Sequence, residues 1–144
     1  CVQLFDSWAG ALSPQDYRHY VLPYVQRIIA DLPPTVPVIN FATGNPALLP
    51  LLAETDCAVV GVDWRIGLAD AWRDIGHQKA VQGNLDPTIL LSDLEEIRRH
   101  VQFVLDQAEK RPGHIFNLGH GVLPETPVEH AMAVVELVHE LSQA

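Results

Sequence analysis

Cysteine is nearly absent from this chain. Cys1 and Cys57 are the two in 144 residues; they show no metal-like pairing, and so low a count fits a reducing cytoplasm. Basic residues are also scarce, with 9 Lys and Arg against 18 Asp and Glu and a formal net charge of −9. That balance argues against nucleic acid or an anionic membrane as a partner. Long apolar runs are missing, so no segment approaches a membrane span, and no signal-peptide pattern opens the chain. Charged residues make up 19% and apolar residues 48%, a balance of globular rather than disordered chains. No internal repeat beyond a strand–helix alternation, no low-complexity tract and no linker divides residues 1–144, and the length suits one domain with a real core.

What is present is that alternation. Val2–Phe5, Val36–Phe41, Cys57–Val62, Ala80–Leu85 and Ile115–Leu118 read as five short strands, and a helical stretch follows each. Ser13 with Pro14 and Asp16, Asn45-Pro46 and Asp86-Pro87 are helix starts. Ser92 with Glu95, and Thr126-Pro127 with Glu129, have the spacing of capping boxes. Tyr17, Val21, Tyr24, Val25, Ile28 and Ile29 form a helical stripe, with Pro23 expected to kink it. A second stripe is Leu94, Ile97, Val101, Val104, Leu105 and Ala108. Five βα units demand parallel strands with right-handed crossovers. Two closures satisfy that: an open doubly wound sheet, or part of an eight-stranded (β/α) barrel, which needs about 250 residues.

Either closure gathers the residues just past the strands at one edge, where ligands bind in parallel α/β folds. They are Asp6 and Ser7, Thr43 and Asn45, Asp63 and Arg65, Asn84 and Asp86, and Asn117 and His120. Asn45 and Asp86 are better explained as caps, and Asp63 as satisfying backbone donors in its turn. Ser7 has no such duty, which leaves its hydroxyl for a ligand. His120 stands between Gly119 and Gly121, residues that permit positive φ and close approach of another molecule. Gly119-His120-Gly121 is not a phosphate-binding GxGxxG, and no GxSxG surrounds Ser7. His130 and His139 are nine apart on the last helix and read as solvent-facing, and His19, His77 and His100 have no partner at ligand spacing, so a zinc site is not expected.

Two motifs, Gln3-Leu4-Phe5-Asp6-Ser7-Trp8-Ala9-Gly10 and Asn117-Leu118-Gly119-His120-Gly121, resemble the uroporphyrinogen decarboxylase family. Val60-Gly61-Val62-Asp63-Trp64 and Gln82-Gly83-Asn84-Leu85-Asp86-Pro87 fit it too, in the same order and at similar intervals, so the likeness covers the whole chain. It implies a single-domain (β/α)8 barrel of haem biosynthesis. The family is a cytoplasmic homodimer that converts the four acetate side chains of uroporphyrinogen to methyls, releasing CO2 without cofactor or metal. It further implies that Ser7 and His120 contact carboxylates of the substrate. A carboxylate beside an imidazole favours the imidazolium, and a serine supplies a neutral donor. The family's arginine-rich motif, pyrrole-binding aspartate and active-site tyrosine have no match here, so no catalytic residue is named.

Residues 1–144, which lack an initiator Met and begin inside a strand, are therefore expected to be the C-terminal five βα units of the barrel, inactive alone. Two alternatives remain: a zinc-dependent cobalamin or corrinoid methyltransferase of the same superfamily, or a doubly wound domain that binds an acidic small molecule without turnover. The barrel reading requires sequential strand order, helices on the outer face and an open concave inner face, with Ser7 and His120 opening on one cavity.

Overall fold

The computed structural model describes residues 1–143. Five parallel strands, β1 (Val2–Asp6), β2 (Val38–Ala42), β3 (Val59–Gly61), β4 (Ala80–Leu85) and β5 (His114–Leu118), lie in the order β1-β2-β3-β4-β5. A doubly wound sheet reverses its order at a switch point; this one does not. The helices are α1 (Pro14–Tyr20), α2 (Leu22–Ala30), α3 (Leu49–Ala53), α4 (Leu68–Ile75), α5 (Leu94–Ala108) and α6 (Val128–Ser142).

The strand register separates two faces. Leu4, Asn40, Val60, Val81 and His114 align across the sheet in one row, and Phe5, Phe41, Gly61, Gln82 and Ile115 in the next. In the first row Leu4, Val60 and Val81 join the apolar core built with Leu52, Leu68, Trp72, Ile97 and Val101 from the helices. Asn40 can be buried there because Thr55, just past α3, accepts from its amide at 3.3 Å and in turn donates its hydroxyl to the Leu52 carbonyl at 2.6 Å. A buried amide without such a partner costs about 1–3 kcal/mol. The second row faces away from the helices, and Phe5 (70% exposed) and Ile115 (43%) lie open.

The sheet is curved as a barrel wall is. The Gln82 side-chain amide of β4 donates to Gln3 Oε1 of β1 at 3.2 Å, although two strands intervene. In a flat sheet three strand spacings would put these chains roughly 14 Å apart. Gly61 makes room for that curvature, since a Cβ on it would lie 2.6 Å from the Phe41 ring folded over it. The arc stays open, with β1 and β5 each paired on one side.

Ser13, Asn45 and Asp86 cap as expected, accepting from the amides of Asp16 (3.1 Å), Ala47 (3.1 Å) and Thr88 (2.9 Å). Two caps fall elsewhere. Asp93, not Ser92, accepts from Glu96 N at 2.9 Å, while Ser92 Oγ donates back to the Ile89 carbonyl at 2.6 Å, closing the 3₁₀ turn Pro87–Leu91. Thr126 does not cap α6: Pro127 is the N-cap, its carbonyl receives His130 N and Ala131 N, and the buried Thr126 hydroxyl has no hydrogen-bond partner among the described residues. Pro23 does more than kink its helix. The chain breaks at Val21 into α1 and α2, which turns Tyr24 and Ile28 outward and makes Tyr17, Leu22 and Ile29 the buried set.

Tyr17, 1% exposed, has its phenol pushed up to about 12, first by burial and then by the negative charges of Asp6 and Cys57. A folded-state pKa above the unfolded value near 10 gives stability that is whole below pH 10 and is lost as pH rises towards 12. Denaturant unfolding is expected to show a loss of up to roughly 2 kcal/mol across that window. Tyr17→Phe should lack this alkaline limb; an unchanged limb would assign it elsewhere.

Candidate functional site

The C-terminal ends of the strands carry the polar turns, and each is built from its own local bonds. After β1, Trp8 N donates to Asp6 Oδ1 at 3.3 Å, and the Ser7 carbonyl accepts from the Thr43 hydroxyl at 3.0 Å, tying this turn to the end of β2. The Ser7 hydroxyl is exposed and has no hydrogen-bond partner among the described residues. Past β3, the buried Asp63 carboxylate accepts from Gly44 N (2.7 Å), Arg65 N (3.0 Å) and Arg65 Nη1 (2.6 Å). Asp63 thus does what its turn position suggested, and also joins the ends of β2 and β3. Asn84 of β4 donates to the carbonyls of Asp63 (2.9 Å) and Ile66 (2.7 Å), fixing both ends of the turn that carries Trp64.

His120 lies beyond β5 and lines a cavity of about 310 Å³ on the concave face, together with Gln3 and Phe5 of β1, Phe41 of β2, Gln82 of β4 and Asn117 of β5. Phe5 meets Phe41 edge-on at 5.7 Å between ring centres. The two rings wall the cavity, while Gln3, Gln82 and Asn117 provide neutral amides. Ser7 is at the same strand edge but is not among the lining residues, so the cavity expected to take both residues holds His120 without Ser7. Gly119 is needed for close approach, since a Cβ on it would lie 2.6 Å from Trp64 N. Neither Gly119 nor Gly121 uses positive φ, and Gly121 has open space where a Cβ would go.

Trp64, Phe41, Gln3 and Gln82 do not stand out as site residues in the sequence. Gln3 and Phe41 share strand faces at period two with Phe5 and Ile39, and that alternation is the available signal. The histidines of α6 are not alike: His130 is partly buried with Nδ1 2.8 Å from the Leu90 carbonyl, and His139 is exposed. Cys57 is buried ahead of β3, at the opposite end from His120, its thiol 3.7 Å from the Leu52 carbonyl. Among the described residues no group of three or more His, Cys, Asp or Glu could hold a metal ion.

A methyltransferase from Methanosarcina mazei superposes on 96% of this chain with a TM-score of 0.83; at 22% identity and 42% of that protein's length, the likeness shows the fold alone. Sequence relatives go further. The uroporphyrinogen decarboxylase of Roseiflexus sp. (strain RS-1) is 52% identical over 147 residues, covering 98% of this chain and 42% of that protein. That of Carboxydothermus hydrogenoformans is 53% identical over 142 residues, covering 98% and 41%. The chain therefore spans about two fifths of the length of these relatives. The family model described as uroporphyrinogen decarboxylase (URO-D) matches residues 1–141, which takes in all five strands, the Ser7 turn and the His120 loop, and the chain belongs to the uroporphyrinogen decarboxylase family.

Proposed function

We propose that the full-length protein is a uroporphyrinogen decarboxylase, a carboxy-lyase of haem biosynthesis, and that residues 1–144 are the C-terminal portion of its single barrel domain. The match of the family model to residues 1–141 carries this reading. In the reaction the bond from each acetate methylene to its carboxylate breaks, CO2 leaves without the bonding electrons, and a proton returned to the methylene gives a methyl. The electron pair must pass into the pyrrole, so the ring has to be made electron-poor and its remaining carboxylates held still.

The chain's own residues suit the holding. His120, protonated against a substrate carboxylate, would donate a charge-assisted hydrogen bond; the exposed Ser7 hydroxyl at the same strand edge would donate a neutral one. Phe5 and Phe41 offer flat apolar walls to a pyrrole. The same reading makes the protein a cytoplasmic homodimer that works without cofactor, metal, nucleic acid or membrane. The net charge of −9 argues against nucleic acid or an anionic membrane as a partner.

The test compares two histidines in the full-length protein. A hydrogen bond to a charged group contributes about 1.5–3 kcal/mol, so His120→Ala is expected to lower kcat/KM for uroporphyrinogen by roughly 10- to 100-fold. His139→Ala, an exposed change on α6, should stay within about twofold. Equal losses from the two would remove His120 from the substrate.

A further inference from the structure

We infer that Trp64 is a positioning residue for His120, an inference that rests on reading His120 as a substrate contact. The indole meets the imidazole edge to face, with ring centres 6.3 Å apart and planes at 86°. Phe41 flanks the same imidazole at 6.4 Å and 59°. Among the described residues the His120 ring nitrogens have no hydrogen-bond partner, and Gly121 beside it has open space where a Cβ would go. The rings of Phe41 and Trp64 flank the imidazole and bias where it points.

Trp64 is itself held from three directions. The Arg65 guanidinium lies 4.1 Å from its ring centre and is tethered by the 2.6 Å ion pair with buried Asp63. Asn84 pins the carbonyls on either side of Trp64 and Arg65. Gly119 admits the Trp64 backbone to a distance at which a Cβ would collide. Through Trp64 and Asn84, the Val60–Trp64 and Gln82–Pro87 motifs therefore converge on the orientation of one imidazole.

The experiment is a double-mutant cycle in the full-length protein, reading KM and kcat for uroporphyrinogen. Aromatic pairs of this kind carry a three- to tenfold effect, roughly. Trp64→Leu is expected to raise KM by about that factor with little change in kcat, and Trp64→Phe to restore most of it. In a His120→Gln background, Trp64→Leu should change KM by less than about twofold, because the group it positions is gone. A loss from Trp64→Leu that is the same in both backgrounds would show a merely structural role and overturn the inference while leaving His120 a substrate contact. A His120→Gln variant with unaltered KM would instead remove the reading on which it rests. Should Trp64→Leu fail to give soluble protein, Trp64→Met, ringless but of similar reach, takes its place in the cycle, with the same outcomes supporting or overturning the inference.

Discussion

Purified alone, the 144-residue chain is expected to associate rather than run as a monomer. The inner face leaves Phe5 and Ile115 open to water, and exposed large apolar side chains favour association. Each end of the arc adds its own exposed surface. Beside β1, α2 turns Tyr24 and Ile28 outward; beyond β5, α6 presents Val128, Met132 and Val135, three and four residues apart on one stripe. Strands β1 and β5 each have one neighbour, so their outer backbone groups are free to pair with another chain. Sedimentation over a range of concentrations should give larger species as concentration rises. Ile115→Lys with Val135→Glu should shift the distribution towards monomer, since charges blunt such edges. A single monomeric boundary at every concentration would show that the two edges and the inner face are harmless, and the open arc would lose its physical meaning.

The second expected result is an absence of turnover from the same sample. Uroporphyrinogen is a polyanion, and a chain of net charge −9 repels it at long range. Near the cavity the donors are the amides of Gln3, Gln82 and Asn117, with His120 at the mouth. Arg65, the cation at the end of β3, is engaged by Asp63 and by the Trp64 ring. Such a site has groups to hold carboxylates but none placed to draw electrons from a pyrrole as CO2 departs. Coproporphyrinogen formed by the isolated chain should therefore not exceed background. If the chain is the portion of a barrel proposed above, mixing with the rest of the full-length protein should restore activity by closing that barrel over His120. Activity from the chain alone would mean that Ser7, His120 and the neutral amides suffice for catalysis.

Much of this molecule is legible in local pattern. The β4 strand, Ala80–Leu85, has the bounds read from the sequence, and Asn45 and Asp86 cap the turns opened by the prolines that follow them. Those are short-range effects: a side-chain oxygen reaching an amide two or three residues away, or a ring that fixes φ. Where two such residues stand together, pattern chooses wrongly. Asp93 takes the cap from Ser92 because the Ser92 hydroxyl is already committed to the Ile89 carbonyl. Pro127 displaces Thr126 because its own carbonyl starts the helix.

The strand-end position of Ser7 and His120 also follows from the βα order, since every loop after a parallel strand emerges at one edge. What surrounds His120 does not. Phe41 and Trp64 reach it from β2 and the end of β3, and Gln82 meets Gln3 across two intervening strands. No spacing along the chain encodes such pairs, because they exist only once the sheet has curved. The sequence by itself determined which residues arrive at the edge. The curvature of the sheet, made possible where Gly61 yields to the Phe41 ring, decided which of them meet.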